Sequence, residues 1–172
     1  TTTPWTLPSN LGLCLGADIE YVKVFDEDKK INMVLAKDRL DAVKGKKRNL
    51  KVLETFKGDA LKGKTYKPLF PFFSDYKEKG AFQIFNDGYV TTDSGTGIVH
   101  LAPDFGEDDN RVMKSEGLYF NACPVDDKGH FTKPVTDYEG TMVKDADKQI
   151  IKDLKDDGKL YDQGVIVHSY PH

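Results

Sequence analysis

Several function classes fall away because of what this chain lacks. It has only two cysteines, Cys14 and Cys123, 109 positions apart. That is too few and too widely spaced for a zinc cluster, and two such residues in a reducing compartment are ordinarily buried thiols rather than a bridge. Its four histidines, His100, His130, His168 and His172, show neither HExxH nor HxH spacing, so no pair of imidazoles is placed for one metal. No apolar run approaches the roughly 20 residues of a membrane span, since LFPFF and GVIV are among the longest. No basic start leads into an apolar signal segment. Charge of one sign is also missing: the net value of −3 is the small difference of many acids and bases. A duplex nucleic acid held through its phosphates alone is therefore not expected, and the basic run KGKKRN at positions 44–49 reads as a solvated loop.

What is present, 172 residues of which 38% are apolar, suffices for one domain with a sizeable core. Short β-rich runs recur between turn signals: LGLCL, EYVKVF, INMVL, LKVLETF, AFQIF, GIVHLA and GVIVHSY. Helices are expected over AKDRLDAVKG, GEDDNRVMKSEG and KDADKQIIKDLKDDG, the last with an apolar stripe of Ile150, Ile151 and Leu154 and Gly158 as its stop. The fold class expected is α+β, a barrel or twisted mixed sheet with helices packed on it. Neither end carries its own start or stop signal, as in a domain cut from a longer protein.

Two stretches hold the residues suited to chemistry. TTTPWTLPSN opens the chain. Its threonines suit either an N-terminal nucleophile that uses its own amine as base, or a polar strip lining a pocket. SGTGIVHLAPDFGEDDNRV, positions 94–112, places a Gly95-Thr96-Gly97 turn before an apolar strand carrying His100, and then a helix start with Asp104, Glu107, Asp108 and Asp109. Glycines allow backbone to approach a ligand, and a helix start offers free N–H groups. Bland roles are available for all of these. A histidine in an apolar strand is ordinarily a hydrogen-bonded core residue, and carboxylates at a helix start are ordinarily caps or solvated charge. No phosphate loop and no GxGxxG fingerprint occurs.

Taken together, TTTPWTLPSN and, some ninety residues later, GTGIVHLAPDFGEDD resemble the editing insertion, or connective polypeptide, of isoleucyl-tRNA synthetases. The resemblance runs over the whole chain, 1–172 as a single editing domain. Pro4-Trp5-Thr6-Leu7-Pro8 sets it apart from the Thr-Thr-Arg-Pro-Glu-Thr opening of leucyl and valyl relatives, and FPFFSDYKEKGAF and CPVDDKGHFT look most like the eukaryotic cytosolic type. The resemblance implies a β-barrel core with flanking helices, cytoplasmic location, no cofactor and no metal. It implies hydrolysis of valine wrongly attached to isoleucine tRNA, with valyl-adenylate as a further candidate substrate. The implied partners are the 3′ end of that tRNA and the remainder of the synthetase in cis, with no membrane.

The same resemblance implies roles at matching positions. Asp109 grips the substrate α-ammonium. Thr6 and His100 wall the side-chain pocket. Thr1, Thr2, Thr3 and Asn10 form the polar strip beside the scissile ester and terminal adenosine, with Thr2, Thr3 and Asp109 closest to catalysis. Gly95, Thr96 and Gly97 bring backbone to the substrate. Asn110 stands where relatives commonly carry an aromatic. Two other readings remain open: a Thr1 N-terminal hydrolase, and a module that binds an aminoacyl or nucleotide end without turnover.

Overall fold

The computed structural model describes residues 1–165. Six strands run in chain order: β1 (Gly12–Leu15), β2 (Glu20–Asp26), β3 (Ile31–Ala36), β4 (Leu50–Lys57), β5 (Gln83–Asn86) and β6 (Ile98–Leu101). Three α-helices accompany them: α1 (Leu40–Lys44), α2 (Glu107–Ser115) and α3 (Val143–Asp156). Each expected strand up to GIVHLA is therefore present. The strand expected over GVIVHSY falls almost entirely on residues outside those described.

The strands form two three-stranded sheets, one ordered β5-β1-β6 and the other β3-β2-β4. Among the described residues these form no closed barrel, so the mixed α+β character is present and the barrel core stays an expectation. In the first sheet β1 pairs parallel with β5 and antiparallel with β6. Strand alternation then gives this sheet two apolar faces. Leu11, Cys14, Phe85, Val99 and Leu101 join the main core. Leu15, Ile84 and Ile98 pack instead on Tyr21, Ala36, Val34 and Phe56 of the second sheet. Leu13 and His100, paired across β1 and β6, stand at the end of that second face.

Helix α3 closes the main core with Val143, Ala146, Ile150 and Leu154, spaced three, four and four residues apart as one helical stripe requires. Ile151 sits on the shoulder of that stripe, half-buried, rather than within it. The helix expected over AKDRLDAVKG is shorter than its pattern suggested: a 3₁₀ turn, Lys37–Arg39, precedes a five-residue α1. Leu40 and Val43 are its only apolar anchors, set against Val22, Val24 and Leu35, and Gly45 ends it with φ of 59°. Two 3₁₀ segments, Pro4–Ser9 and Pro71–Lys79, form where the sequence carries no helical pattern. Each opens on a proline, whose fixed φ and missing N–H suit a first helical position.

Candidate functional site

The Gly95-Thr96-Gly97 turn is clamped between the two sheets. The Thr96 carbonyl accepts the Ala36 N–H of β3 at 2.8 Å, and the Gly97 carbonyl accepts the Tyr21 hydroxyl at 2.7 Å. That hydroxyl also accepts the Gly16 N–H at 2.9 Å, so one buried tyrosine ties the turn to both sheets. Gly97 has φ of 77°, and a Cβ there would lie 2.5 Å from the Ala36 Cβ. Only glycine fits.

Beneath the turn lies a cavity of about 560 Å³. Thr1 and Thr2 line it from the N-terminal segment, Gly95, Thr96 and Gly97 from the turn, and His100 from β6. Six of the ten expected site residues are thus brought around one space. Leu7, Leu13, Tyr89 and Val90 add apolar wall that sequence reasoning did not select. A signal existed only for Leu13, as the alternation partner of buried Cys14.

Thr6 and Asn10 stand behind His100 and do not line the cavity. Thr6 Oγ1 lies 2.9 Å from His100 Nε2 and donates to the Thr3 carbonyl, also at 2.9 Å. A hydroxyl has one proton, so with Thr3 receiving it, Nε2 must carry the hydrogen that Thr6 accepts. Asn10 Nδ2 meets His100 Nδ1 at 2.9 Å and the Gly12 carbonyl at 2.9 Å, which fits an unprotonated Nδ1 accepting from the amide. The ring is therefore the neutral Nε2–H tautomer. Burial lowers its pKa from 6.5 to about 4. Both nitrogens are engaged, and ring carbon is what His100 offers the cavity. It is at once the hydrogen-bonded histidine of the bland reading and a wall of the pocket.

The roles of Thr3 and Asn10 shift accordingly. Thr3 contributes its carbonyl to the relay, and its N–H donates to Thr1 Oγ1 at 3.0 Å. Asn10 is only 7% exposed and its amide is fully engaged, so it supports His100 rather than presenting itself to a ligand. The third participant, Tyr66, donates its hydroxyl to Asn10 Oδ1. Nothing in the sequence marked Tyr66.

The N-terminal segment is itself anchored by α3, whose Asp147 accepts the Trp5 N–H at 2.8 Å. No side chain of its own caps that 3₁₀ turn, so the carboxylate of another helix does so.

The four carboxylates near α2 separate cleanly. Asp104 accepts the Ala122 N–H and holds the following loop. Glu107 is exposed. Asp108 pairs with Arg111 at 3.2 Å on the surface, where Arg111 also grips Asp87 at 2.9 Å. Asp109 alone turns inward, its Oδ2 accepting the Ala102 N–H at 2.9 Å just past β6. A Cβ on Gly106 would lie 2.8 Å from its carboxyl carbon, so glycine is what lets the carboxylate fold back. Burial raises its pKa, the backbone hydrogen bonds opposing. Asp109 is outside the cavity lining, but its charge reaches Tyr89, which belongs to it.

No family model matches the chain. The isoleucine-tRNA ligase of Bdellovibrio bacteriovorus is 51% identical over 172 residues, covering 99% of this chain and 16% of that protein. The cytoplasmic isoleucine-tRNA ligase of Mus musculus is 48% identical over 175 residues, covering 99% of this chain and 14% of its own length. The chain thus spans about one sixth of the curated relatives it matches. In structure it is similar to the editing domain of the P. knowlesi cytosolic leucyl-tRNA synthetase, with a TM-score of 0.66 at 12% identity, over 92% of this chain and 80% of that one. The chain belongs with the isoleucine-tRNA ligases, as one segment of them, and has the fold of an aminoacyl-tRNA synthetase editing domain.

Proposed function

We propose that this chain is a single editing domain within a larger cytoplasmic synthetase, and that it hydrolyses valine mischarged onto isoleucine tRNA. The observation that carries the reading is the cavity in which threonine hydroxyls and the glycine turn face a neutral, fully hydrogen-bonded His100. An aminoacyl ester is already activated, so such a site need only orient water and carbonyl and stabilise a developing oxyanion. Thr1 and Thr2 hydroxyls and the backbone of Gly95, Thr96 and Gly97 supply those groups. His100 is excluded as the base, because its free lone pair is taken by Asn10 and its pKa lies near 4.

Asp109 supplies the remaining element, a carboxylate for the α-ammonium common to every amino acid. Its inward turn supports that role. Selectivity then comes from size. One methylene is worth only ~1–3 kcal/mol of attraction, so a second pocket that isoleucine cannot enter separates the two where a first site cannot. Valyl-adenylate carries the same ammonium and side chain and falls within the same proposal.

A lining of hydroxyls, glycines and apolar groups also suits binding without turnover, which is the second reading. The N-terminal hydrolase has no support: Lys29 donates to the Tyr161 carbonyl and lies over the Tyr161 ring, and no lysine lines the cavity. Deacylation of isoleucine tRNA charged with valine or with isoleucine decides. Release of valine with retention of isoleucine is expected. Protection of both esters at saturating protein would establish the binding module instead.

A further inference from the structure

The relay behind His100 begins at a residue that neither lines the cavity nor touches the ring. Asn10 Nδ2 serves two acceptors, the Gly12 carbonyl and His100 Nδ1, both at 2.9 Å. Turning the amide over would press Oδ1 against the Gly12 carbonyl, so the orientation is determined. Its remaining group, Oδ1, accepts from Tyr66. Tyr66 is fixed in turn: its N–H donates to the Phe82 carbonyl at 3.0 Å and its ring meets Phe82 edge-on at 6.0 Å. Burial holds its phenol well above the usual range, so it remains a donor at neutral pH.

Every proton along this path points the same way, from Tyr66 to Asn10, to His100 Nδ1, and separately from His100 Nε2 to Thr6 and on to the Thr3 carbonyl. Successive bonds of one sense polarise and strengthen each other. We propose that Tyr66 is a positioning residue: jointly with the Gly12 carbonyl it holds the Asn10 amide, and through it secures the Nε2–H tautomer and the ring plane of His100, and so keeps the cavity wall rigid and apolar. This rests on the proposed function only in taking the cavity as the side-chain pocket.

The Tyr66→Phe variant tests it, because the phenyl keeps the Phe82 contact and loses only the donor. The ring nitrogens of His100, read by ¹⁵N shifts in the free protein, should change from a single Nε2–H form to a mixture of tautomers. Isoleucine release should rise relative to valine release by about fivefold, the weight of one ordinary hydrogen bond. A folded variant that keeps the single tautomer and the original selectivity overturns the proposal. A changed tautomer in a protein that deacylates neither ester supports the positioning role and overturns the editing reading alone. Should Tyr66→Phe fail to fold, Asn10→Asp reads the second step of that path, from position 10 to the ring, since a carboxylate must draw a proton to Nδ1. An unchanged Nε2–H spectrum in that variant overturns the proposal.

Discussion

Lowering the pH from neutrality should destabilise this domain. His100 is the cause. Its pKa is 6.5 when free of the fold and about 4 within it, so between those values the unfolded chain binds a proton that the folded chain refuses. Stability is then fully present above pH 6.5 and falls as pH falls, by about 1.4 kcal/mol per unit for one proton. From pH 6.5 to about 5 the loss is about 2 kcal/mol, or about 4–8 °C in Tm for a chain of this size. Asp109 and Asp147, whose pKa values are raised, act in the opposite sense, so the slope must be isolated. Urea denaturation of the parent and of His100→Gln across this range does so, since the two proteins differ only in that ring. Parallel stability curves for the two proteins would refute a neutral, buried His100.

Asp109→Asn should keep the fold, because the amide oxygen still accepts from Ala102, yet lose most valine deacylation with the charge that holds the ammonium; steady-state rates check this. Asp104→Ala should instead lower the melting temperature, by about 1–3 kcal/mol of stability, by orphaning the Ala122 N–H, with catalysis per folded molecule retained. Gly97→Ala should cost about 2 kcal/mol or more, from positive φ and the clash with Ala36, and should abolish activity with the turn; calorimetry and the deacylation assay read both. Thr6→Val should leave the His100 Nε2–H without its acceptor, cost about 1–3 kcal/mol in denaturation, and relax selectivity toward isoleucine even though Thr6 is not itself part of the wall.

Much of the fold was legible because local signals and burial agree. Alternation located β1 through β6, and the acid-rich start of α2 and the apolar stripe of α3 marked their helices. The 3₁₀ segments escaped because proline determines them while their short period leaves little apolar pattern. Within the site, the glycine turn and the strand carrying His100 were legible as one unit. The partners of His100 were not, since Thr6 and Asn10 lie 94 and 90 positions away and Tyr66 joins only through Asn10. Spacing could not sort the four acids at α2 either. Their separation depends on which backbone N–H each one finds, Ala122 for Asp104 and Ala102 for Asp109.

Under the proposed function, the choice of histidine for an apolar wall follows from what a sieve requires. Excluding one methylene demands that the wall hold its place to within a fraction of that group's size, because a side chain free to tilt admits the larger substrate at little cost. A phenyl ring in the same place would be as apolar but could be fixed only by packing. An imidazole with both nitrogens bonded is held against rotation by directional contacts from behind, while its carbons face the cavity. Those contacts come from Thr6 and Asn10 in the N-terminal segment, which also carries Thr1 and Thr2 to the lining. Asp147 of α3 holds that segment and Tyr21 holds the glycine turn, so the surfaces that face the substrate are all referred to the same core. A general base is thereby given up, since burial and the bond from Asn10 leave the ring no proton affinity near neutral pH. For the proposed substrate, an already activated ester, position matters more than basicity.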